Sequence, residues 1–239
     1  MKVIGLEQVD STNSYAKLNV DNFADRTIIH ALSQTSGRGR LNRSWVDLGQ
    51  GNLFMSFILK PSDTFNEIYP NITQYLSVVL CKVLESYGLQ PQIKWPNDVL
   101  IDGKKIAGIL SETVMSGSTL KAIVVGVGVN LNAKADDVTK ITDKIVTALN
   151  LELNTDIELN IFRDKLINEF FANYDAFLEN GFEFIKRDYI NRNCFLNKEL
   201  NIQIFNNIEN GLAKSINDKG ELVLLKDDKE LVLTIGDIL

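Results

Sequence analysis

The pattern of the chain changes near Cys194, and this change constrains the fold more than any other feature. Up to about residue 188, strand-like segments alternate with segments of helical spacing. Beyond Cys194 only short strand-like segments follow, near 199–205, 211–216, 221–225 and 230–235, with Asn-Asn and Lys-Gly turn residues between them. We therefore predict a mixed α/β domain over residues 1–188 and a small all-β domain over residues 189–239.

Hydrophobic patterns predict the individual elements of the first domain. Strands are predicted at 2–9, 27–33, 52–60, 93–95, 99–101, 105–112 and 120–131. Helices are predicted after the N-cap residues Asp10-Ser11-Thr12-Asn13 as far as Asn19, and over 68–87, 137–149 and 156–179. The pair Asp102-Gly103 predicts a hairpin turn between two of the strands.

The composition limits the class of protein. Among 239 residues 45% are hydrophobic and 23% charged, which predicts a buried core and excludes a disordered chain, a fibrous repeat or a disulfide scaffold. The net charge of −6 argues against general nucleic-acid binding, because phosphate neutralisation needs a basic face. Since no run of about 18 apolar residues occurs, we expect a cytoplasmic protein that does not bind membranes.

The cysteines and the single histidine exclude several kinds of site. Cys81 and Cys194 match no metal-binding or redox spacing, so we expect both to be reduced and buried. His30 lies in an apolar strand, which favours a core residue over a catalyst. A Ser-His or Cys-His hydrolase and a zinc site are therefore not expected.

A polar stretch without periodicity, residues 34–52, follows a predicted buried strand and is typical of a functional loop. Its first part reads Gln34-Thr35-Ser36-Gly37-Arg38-Gly39-Arg40-Leu41-Asn42-Arg43-Ser44-Trp45. Arginine side chains bind phosphate or carboxylate oxygens, and glycines let the backbone approach an anion. We expect an anion-binding loop that is disordered until ligand binds. A solvated basic loop and an RNA-binding patch remain alternatives.

A second polar motif, Lys94-Trp95-Pro96-Asn97-Asp98, ends a predicted strand. Because Pro96 lacks an N–H, the motif forms a strand end or corner that presents Asn97 and Asp98. These groups suit a metal-bound triphosphate or an amine nucleophile. On the next strand Lys104 and Lys105 point to opposite faces, and an inward ammonium needs an anionic partner. Two exposed lysines on a tight turn are the alternative.

The segment Gly126-Val127-Gly128-Val129-Asn130 lies inside a predicted strand. It lacks the third glycine and the helix of a dinucleotide-binding motif, and the chain contains no P-loop. Its glycines allow either a flat ring to lie on the backbone or a helix to pack closely on the sheet. A nucleotide site in this chain must therefore use another architecture.

Taken in order, these motifs resemble those of the biotin protein ligase family. The signature series is Gln-x-x-Gly-Arg-Gly-Arg-x-x-Arg-x-Trp, Lys-Trp-Pro-Asn-Asp, Lys-x-Ala-Gly-Ile-Leu and Gly-x-Gly-x-Asn, and Asp10-Ser11-Thr12-Asn13 fits upstream of it. The resemblance spans about residues 8–132. Asn42 stands where many relatives have glycine, and since asparagine tolerates left-handed geometry we expect the loop to be preserved.

The resemblance implies an α/β (α+β) fold with a mixed sheet and flanking helices, similar to the catalytic domain of class II aminoacyl-tRNA synthetases, followed by an SH3-like β-barrel. It implies a ligase that uses ATP and Mg²⁺ to convert biotin into biotinyl-5′-AMP. The biotin is then transferred to a lysine of a biotin carboxyl carrier domain. Some relatives carry an N-terminal DNA-binding helix-turn-helix, but the motifs here begin within the first fifteen residues. We expect a ligase and not a repressor.

The resemblance also implies roles for individual residues. Expected biotin-binding residues are Ser11, Thr12, Asn13, Gln34, Gly37, Arg38, Gly39, Arg40, Lys105 and Gly108. Expected ATP- or adenylate-binding residues are Arg38, Arg40, Arg43, Trp45, Asn97, Lys105 and Asn130. Expected catalytic residues are Arg38, Arg40, Asp98 and Lys105, of which Lys105 pairs with the biotin carboxylate. Asn97 and Asp98 are candidate Mg²⁺ ligands, or they hold the incoming lysine amine.

Other functions remain open at this point. A lipoate or octanoyl ligase or transferase shares the fold and the acyl-adenylate chemistry. A biotin or nucleotide sensor without activity is disfavoured because Arg38, Arg40, Asp98 and Lys105 are all present. An RNA-binding module lacks the required aromatic and basic face. A homodimer formed through an exposed strand edge near 120–131 is a further possibility.

Overall fold

The structure, a computed structural model, describes residues 1–60, 69–142 and 144–239, and of Asn42 only the backbone. In this part of the chain the strands form two sheets. The first sheet contains β1 (Lys2–Val9), β2 (Thr27–Gln34), β3 (Leu53–Leu59), β4 (Pro91–Lys94), β5 (Asp98–Ile101), β6 (Lys104–Ser116) and β7 (Thr119–Val129). The second sheet contains β8 (Glu199–Ile204), β9 (Asn207–Ile216), β10 (Leu222–Lys226), β11 (Lys229–Leu233) and β12 (Asp237–Ile238).

Helices connect and cover these strands. They are α1 (Thr12–Leu18), α2 (Ile72–Glu85), α3 (Ala135–Thr139), α4 (Leu149–Leu153), α5 (Leu159–Ala172), α6 (Tyr174–Asn180) and α7 (Phe182–Asn191). Short 3-10 turns lie at Val20–Asn22, Arg40–Asn42 and Tyr69–Asn71. The mixed α/β fold followed by a small all-β unit is thus confirmed.

The first sheet has the strand order β1-β2-β3-β7-β6-β5-β4. β1 and β2 pair in parallel, and the other neighbours pair antiparallel. From Ile123 to Val129, β7 pairs with β3 on one side and β6 on the other. The proposed dimer edge near 120–131 is therefore wrong, because most of that strand lies inside the sheet and has no unpaired backbone to offer a second copy.

One face of this sheet packs on the larger helices, and aromatic residues form the centre of that core. The ring centroids of Phe57 on β3 and Phe170 on α5 are 4.2 Å apart, and those of Tyr75 on α2 and Phe177 on α6 are 4.4 Å apart. On the opposite face, α1 covers only one end, where Ala16 packs with Ile29, Ile58 and Val124. The remainder of that face is the floor of a cavity.

The predicted helix over 137–149 is wrong. Of the described residues in this region, Ala135–Thr139 and Leu149–Leu153 are helical, whereas residues 145–147 pair with β6 at Lys105. Lys105 N donates to Ile145 O and Thr147 N donates to Lys105 O, both at 2.9 Å. Tertiary pairing with β6 thus overrides the local helical spacing.

The remaining helix predictions need smaller corrections. The helix predicted over 68–87 begins at Ile72 after a 3-10 turn, and residue 68 lies outside the described residues. The segment predicted over 156–179 divides into α5 and α6 at Asn173, and α7 was not predicted. The proposed domain boundary at residue 188 lies within α7. The division of the chain into 1–188 and 189–239 stays a prediction.

The second sheet has the order β11-β10-β9-β8-β12, and of its strands only β12 was not predicted. It docks on the N-terminal end of α2, where Asn71 Nδ2 donates to Lys219 O at 2.8 Å and Gln74 Nε2 donates to Gly220 O at 2.7 Å. A second contact joins β12 to the arginine-rich loop, as described below. The small sheet therefore forms one wall of the cavity.

The cysteine and histidine predictions hold except at one position. Cys81 and Cys194 are both free, and Cys81 is buried as predicted, whereas Cys194 is only half-buried. His30 is a buried residue of β2. Among the described residues, no helix is both long and apolar enough to cross a membrane.

Candidate active site

A cavity of about 660 Å³ opens on the sheet face that α1 leaves uncovered. The arginine-rich loop, the strands β6 and β7, the start of β5 and the end of β12 surround it. The predicted site residues that line it are Ser11, Thr12, Asn13, Gln34, Arg38, Gly39, Arg40, Arg43, Trp45, Asn97, Asp98, Lys105 and Gly108. Gly37 and Asn130 are the predicted residues that do not line it. The fold thus brings together motifs that are far apart in sequence.

Polar groups at the start of α1 form one end of the cavity. Ser11 caps the helix, accepting from Ser14 N at 3.4 Å. Thr12 N donates to Gln34 Oε1 at 2.7 Å. Ser56 Oγ donates to Asn13 Oδ1 at 2.7 Å and lies 2.8 Å from the Thr12 hydroxyl. This network holds hydroxyl and amide groups in fixed orientations, as recognition of a neutral polar ligand requires.

Glycines on β6 and β7 form the floor of the cavity. A Cβ on Gly126 would overlap the Asn13 side chain, so this glycine lets α1 pack directly on the sheet. A Cβ on Gly128 would lie 2.6 Å from Trp45 Cε2, and one on Gly108 would lie 2.8 Å from Trp45 Cζ3. In this structure the flat ring on the glycine floor is therefore the indole of Trp45 itself.

Alternation along β6 predicts that one of Lys104 and Lys105 points inward, and in the structure this lysine is Lys105. Its side chain is 15% exposed, and its Nζ lies 2.6 Å from Asp98 Oδ1 and 5.5 Å from the centroid of the Trp45 ring. Burial lowers the pKa of Lys105 below its ordinary value, although Asp98 opposes that shift. Lys104 faces the other way and pairs with Glu152 at 2.5 Å. An ammonium held this way can bind a substrate carboxylate.

Each arginine of the loop binds a carboxylate from outside the loop. Arg38 Nη1 lies 3.1 Å from Glu112 Oε1. Arg40 Nη1 lies 2.8 Å from Asp237 Oδ1, and Arg43 Nη1 lies 3.1 Å from Asp237 Oδ2. Burial lowers the pKa of Arg40, although Asp237 and Asp98 raise it in turn, and the guanidinium stays charged. All three arginines line the cavity, Arg38 beside Glu112 and Arg40 and Arg43 beside Asp237.

The backbone of the loop is folded on itself. Gly39 N donates to Arg43 O at 2.7 Å, and Trp45 N donates to Gly37 O at 2.9 Å. Leu41 has φ of 50°, so the left-handed residue of the loop is this one rather than Asn42. The expectation that the loop is disordered without ligand stays a prediction.

Gly37 and Asn130 support the site from outside the cavity. A Cβ on Gly37 would lie 2.6 Å from the Trp45 carbonyl oxygen, so only glycine lets the two ends of the loop approach. Asn130 Nδ2 donates to Thr147 O and Leu149 N donates to Asn130 O, both at 2.9 Å. Asn130 thus fixes the segment that pairs with Lys105 instead of lining the nucleotide side of the cavity.

Sequence reasoning missed several residues of the site. Glu112, the last residue of the strand predicted over 105–112, accepts from Lys17 Nζ at 2.6 Å and from Asn13 Nδ2 at 3.0 Å, and it also pairs with Arg38. Burial raises the pKa of Glu112, but the bonds from Lys17 and Asn13 outweigh it and keep the pKa below its ordinary value. Strand alternation from Gly108 places Glu112 on the cavity face, so this residue could have been found.

Other missed residues had weaker signals. Lys94 and Lys144 line the cavity, which gives it more cationic than anionic side chains in a chain of net charge −6. Asp47 accepts from Ser33 Oγ at 2.9 Å and Gln34 N at 3.0 Å, and so fixes the end of the loop. Asp237 is brought in only by the second sheet, and nothing in its local sequence predicts this.

Asn97 and Asp98 both contact neighbouring protein groups in this arrangement. Asn97 Oδ1 accepts from Arg40 Nη1 at 3.3 Å and its Nδ2 donates to Ile109 O at 2.9 Å, while Asp98 binds Lys105. No cluster of three or more His, Cys, Asp or Glu side chains suited to a metal occurs in residues 1–60, 69–142 and 144–239. Their assignment as Mg²⁺ ligands stays a prediction.

Comparison with known proteins gives one consistent family. Residues 5–130 match the family described as "Biotin/lipoate A/B protein ligase family". The bifunctional ligase/repressor BirA of Bacillus spizizenii is 30% identical over 218 residues, which cover 90% of this chain and 67% of that protein. The biotin--[acetyl-CoA-carboxylase] ligase of Paracoccus denitrificans is 30% identical over 228 residues, 92% of each chain.

A solved structure agrees with these sequence relatives. The biotin protein ligase from Aquifex aeolicus in complex with biotin and ATP superposes with a TM-score of 0.84 and 25% identity, covering 100% of this chain and 97% of the other. The arrangement of both sheets is therefore part of a known architecture. With the matched region extending over more than half of its residues, the chain belongs to the biotin/lipoate A/B protein ligase family.

Proposed function

We propose that this chain is a biotin protein ligase, which activates biotin with ATP and transfers it to a lysine of a biotin carboxyl carrier domain. The observation that carries the proposal is the cavity itself. It is lined by polar groups at the start of α1, by a buried lysine and by three arginines of the loop. The names of the relatives from Paracoccus denitrificans and Aquifex aeolicus support the same activity.

In the proposed complex, the ureido ring of biotin binds at the polar end. This ring has both donors and acceptors, which match the hydroxyl and amide groups of Ser11, Thr12, Asn13 and Gln34. The valeryl carboxylate then reaches Lys105. The ammonium exchanges the Asp98 carboxylate for the biotin carboxylate, so Lys105 keeps an anionic partner.

ATP, as its magnesium complex, binds on the arginine side. Arg38, Arg40 and Arg43 contact the phosphates, because guanidinium groups match phosphate oxygens in charge and geometry. A biotin carboxylate oxygen attacks the α-phosphorus, the bond to the β-phosphate oxygen breaks, and pyrophosphate leaves. The cations offset the repulsion between the two anionic reactants, so the rate gain comes from positioning and electrostatics.

The second step transfers the biotinyl group to the carrier. The neutral ε-amine of the carrier lysine attacks the carbonyl carbon of the mixed anhydride, the bond to the phosphate oxygen breaks, and AMP leaves with its negative charge. The amine proton passes to a base. Asp98 at the cavity wall is our candidate for orienting this amine, with Asn97 beside it.

A lipoate ligase is the second candidate, because the family description covers both acids. The biotin ligase names of the relatives favour biotin. The absence of DNA binding stays a prediction. The test is transfer of labelled biotin or lipoate to a purified carrier domain of acetyl-CoA carboxylase with ATP and magnesium. We expect labelling with biotin and none with lipoate. Labelling with lipoate alone would mean that the substrate is lipoate instead of biotin.

A further inference from the structure

The second sheet inserts one acidic side chain into the active-site wall. Asp237 lies at the start of β12, its side chain is 10% exposed, and it lines the cavity. Its two carboxylate oxygens face different arginines of the loop: Oδ1 accepts a hydrogen bond from Arg40 Nη1 at 2.8 Å, whereas Oδ2 lies 3.1 Å from Arg43 Nη1 in an ion pair that lacks hydrogen-bond geometry. A contact between residues 197 positions apart thus joins the two parts of the chain at the site.

Neighbouring groups reinforce this contact. Arg40 Nη1 also donates to the carbonyl oxygen of Gly236 at 3.1 Å, immediately before Asp237. Arg43 Nη2 donates to Gln203 Oε1 at 3.4 Å, and Gln203 is the residue that pairs with Asp237 across β8 and β12. Arg40 and Arg43 therefore both contact the second sheet where Asp237 pairs with Gln203.

Gly236, the residue before Asp237, lets the backbone pass close to β8. Gly236 has φ of 150°, and a Cβ at this position would lie 2.7 Å from Ile202 Cγ2. Only glycine lets the chain pass this close to β8 and turn its carbonyl to Arg40. The position of Asp237 is therefore set by backbone packing as well as by its ion pairs.

Asp237 approaches one end of each guanidinium. A guanidinium group carries five N–H donors, and the ion pairs with Asp237 join its carboxylate oxygens to the Nη1 atoms of Arg40 and Arg43. A long, flexible arginine loses rotamer freedom when it binds an anion, and this entropy cost is lower when the side chain is already held. A carboxylate behind the arginines can thus orient them toward phosphate oxygens in the cavity.

We propose that Asp237 is a positioning residue for ATP, which holds Arg40 and Arg43 in the orientation that binds the triphosphate. The inference rests on the proposed function in naming ATP. It assigns the second sheet a part in the nucleotide half of the site. The biotin half, at the start of α1, has no described contact with Asp237 and should not depend on it.

The kinetic test uses Asp237→Asn, which removes the charge with little change in shape. We expect the KM for ATP in pyrophosphate exchange to rise about 5- to 30-fold, as expected for a lost charge-assisted bond. The KM for biotin should stay within about twofold, because the groups at α1 are unchanged. Asp237→Glu should restore part of the ATP affinity.

Glu230→Gln is the matched control. Glu230 lies in the same sheet and pairs with Lys214 at 2.5 Å, but both side chains are about half exposed and neither lines the cavity. Glu230→Gln should leave the KM for ATP and the KM for biotin at their wild-type values. If Asp237→Asn raises both KM values equally and lowers the melting temperature, Asp237 has only a structural role and the proposal is wrong. Unchanged KM values would also overturn it.

A second readout does not depend on the substrate. Amide hydrogen exchange of residues 38–45 in the ligand-free protein should become about threefold faster or more in Asp237→Asn, because the loop loses its anchor. Glu230→Gln should exchange like the wild type. Unchanged loop exchange would contradict the proposal. If the wild-type protein shows no biotin-dependent pyrophosphate exchange, the proposed function fails. The hydrogen-exchange measurement on the loop then still decides whether Asp237 anchors the arginines.

Discussion

Lys105 and Asp98 form an ion pair of 2.6 Å between neighbouring strands, with the lysine side chain 15% exposed. Burial of a lone ammonium is costly, and Asp98 offsets this cost by supplying the opposite charge. A substrate carboxylate that binds Lys105 therefore exchanges one anion for another. This relationship supplies a buried lysine of the cavity lining with a counter-charge.

Substitution of Lys105 should affect catalysis strongly. Lys105→Ala removes the cation that pairs with the biotin carboxylate, and we expect a loss of about 2–4 kcal/mol of transition-state stabilisation, or about 30- to 1,000-fold in kcat/KM. The matched control is Lys104→Ala, whose lysine faces the other way and pairs with Glu152. Transfer kinetics measure both variants, and a normal rate for Lys105→Ala would remove Lys105 from the site.

Gly128→Ala should disturb the floor of the cavity. The added methyl would lie 2.6 Å from Trp45 Cε2, so the indole must move off the sheet. We expect about tenfold weaker biotin or ATP binding, because the new methyl fills space above the floor. Calorimetric titration measures the affinities, with Thr119→Ala at the exposed start of β7 as the control. Wild-type affinity for both ligands would show that the floor does not contact them.

Ser56→Ala tests the polar end of the cavity. Ser56 is fully buried, and its hydroxyl donates to Asn13 Oδ1. Removal leaves the Asn13 oxygen without this donor, and we expect about 1–3 kcal/mol lower stability. The KM for biotin should rise while the KM for ATP stays constant. Urea unfolding and exchange kinetics measure the two effects, and equal changes in both KM values would contradict this division of the site.

His30 should make stability depend on pH. Burial lowers the pKa of His30 below its ordinary value of 6.5, and Arg163 lowers it further. Because the folded pKa lies below the unfolded one, the neutral form favours folding. Stability is therefore fully present above about pH 6.5 and is lost as pH falls through that value toward the folded pKa.

Urea unfolding of wild type and His30→Gln at pH 8 and pH 5 measures this effect. The wild type should lose more stability than the variant over that interval, since glutamine does not titrate. Arg163 Nη1 lies 3.1 Å from His30 Nε2, and an amide oxygen can accept from the same donor. Parallel losses in the two proteins would mean that His30 does not carry the pH dependence.

The strands and the site motifs could be predicted because each leaves a local signal. Alternation locates β3 and β6, and the hairpin turn at Asp102 and Gly103 forms with positive φ at both residues as their types predict. That one of Lys104 and Lys105 points inward follows from the same alternation. These features depend on neighbours within a few residues, so one sequence is enough to find them.

The remaining features depend on contacts between distant segments. Residues 145–147 have helical spacing but pair with β6 at Lys105, because the sheet supplies partners that the local sequence does not show. Asn130 was predicted to line the nucleotide side, yet its amide holds the Thr147 carbonyl oxygen. Asp237 reaches the arginines only through the docking of the second sheet. Tertiary packing thus decides which polar residues meet.

Biotin-dependent exchange of labelled pyrophosphate into ATP, with magnesium present and lipoate as the control acid, tests the central claim most directly. Exchange requires the carboxylate, Lys105 and the arginines to act in one cavity and needs no carrier protein. We predict exchange with biotin and none with lipoate. Exchange with lipoate alone, or binding of biotin without any exchange, would contradict the assignment of this cavity to biotin activation.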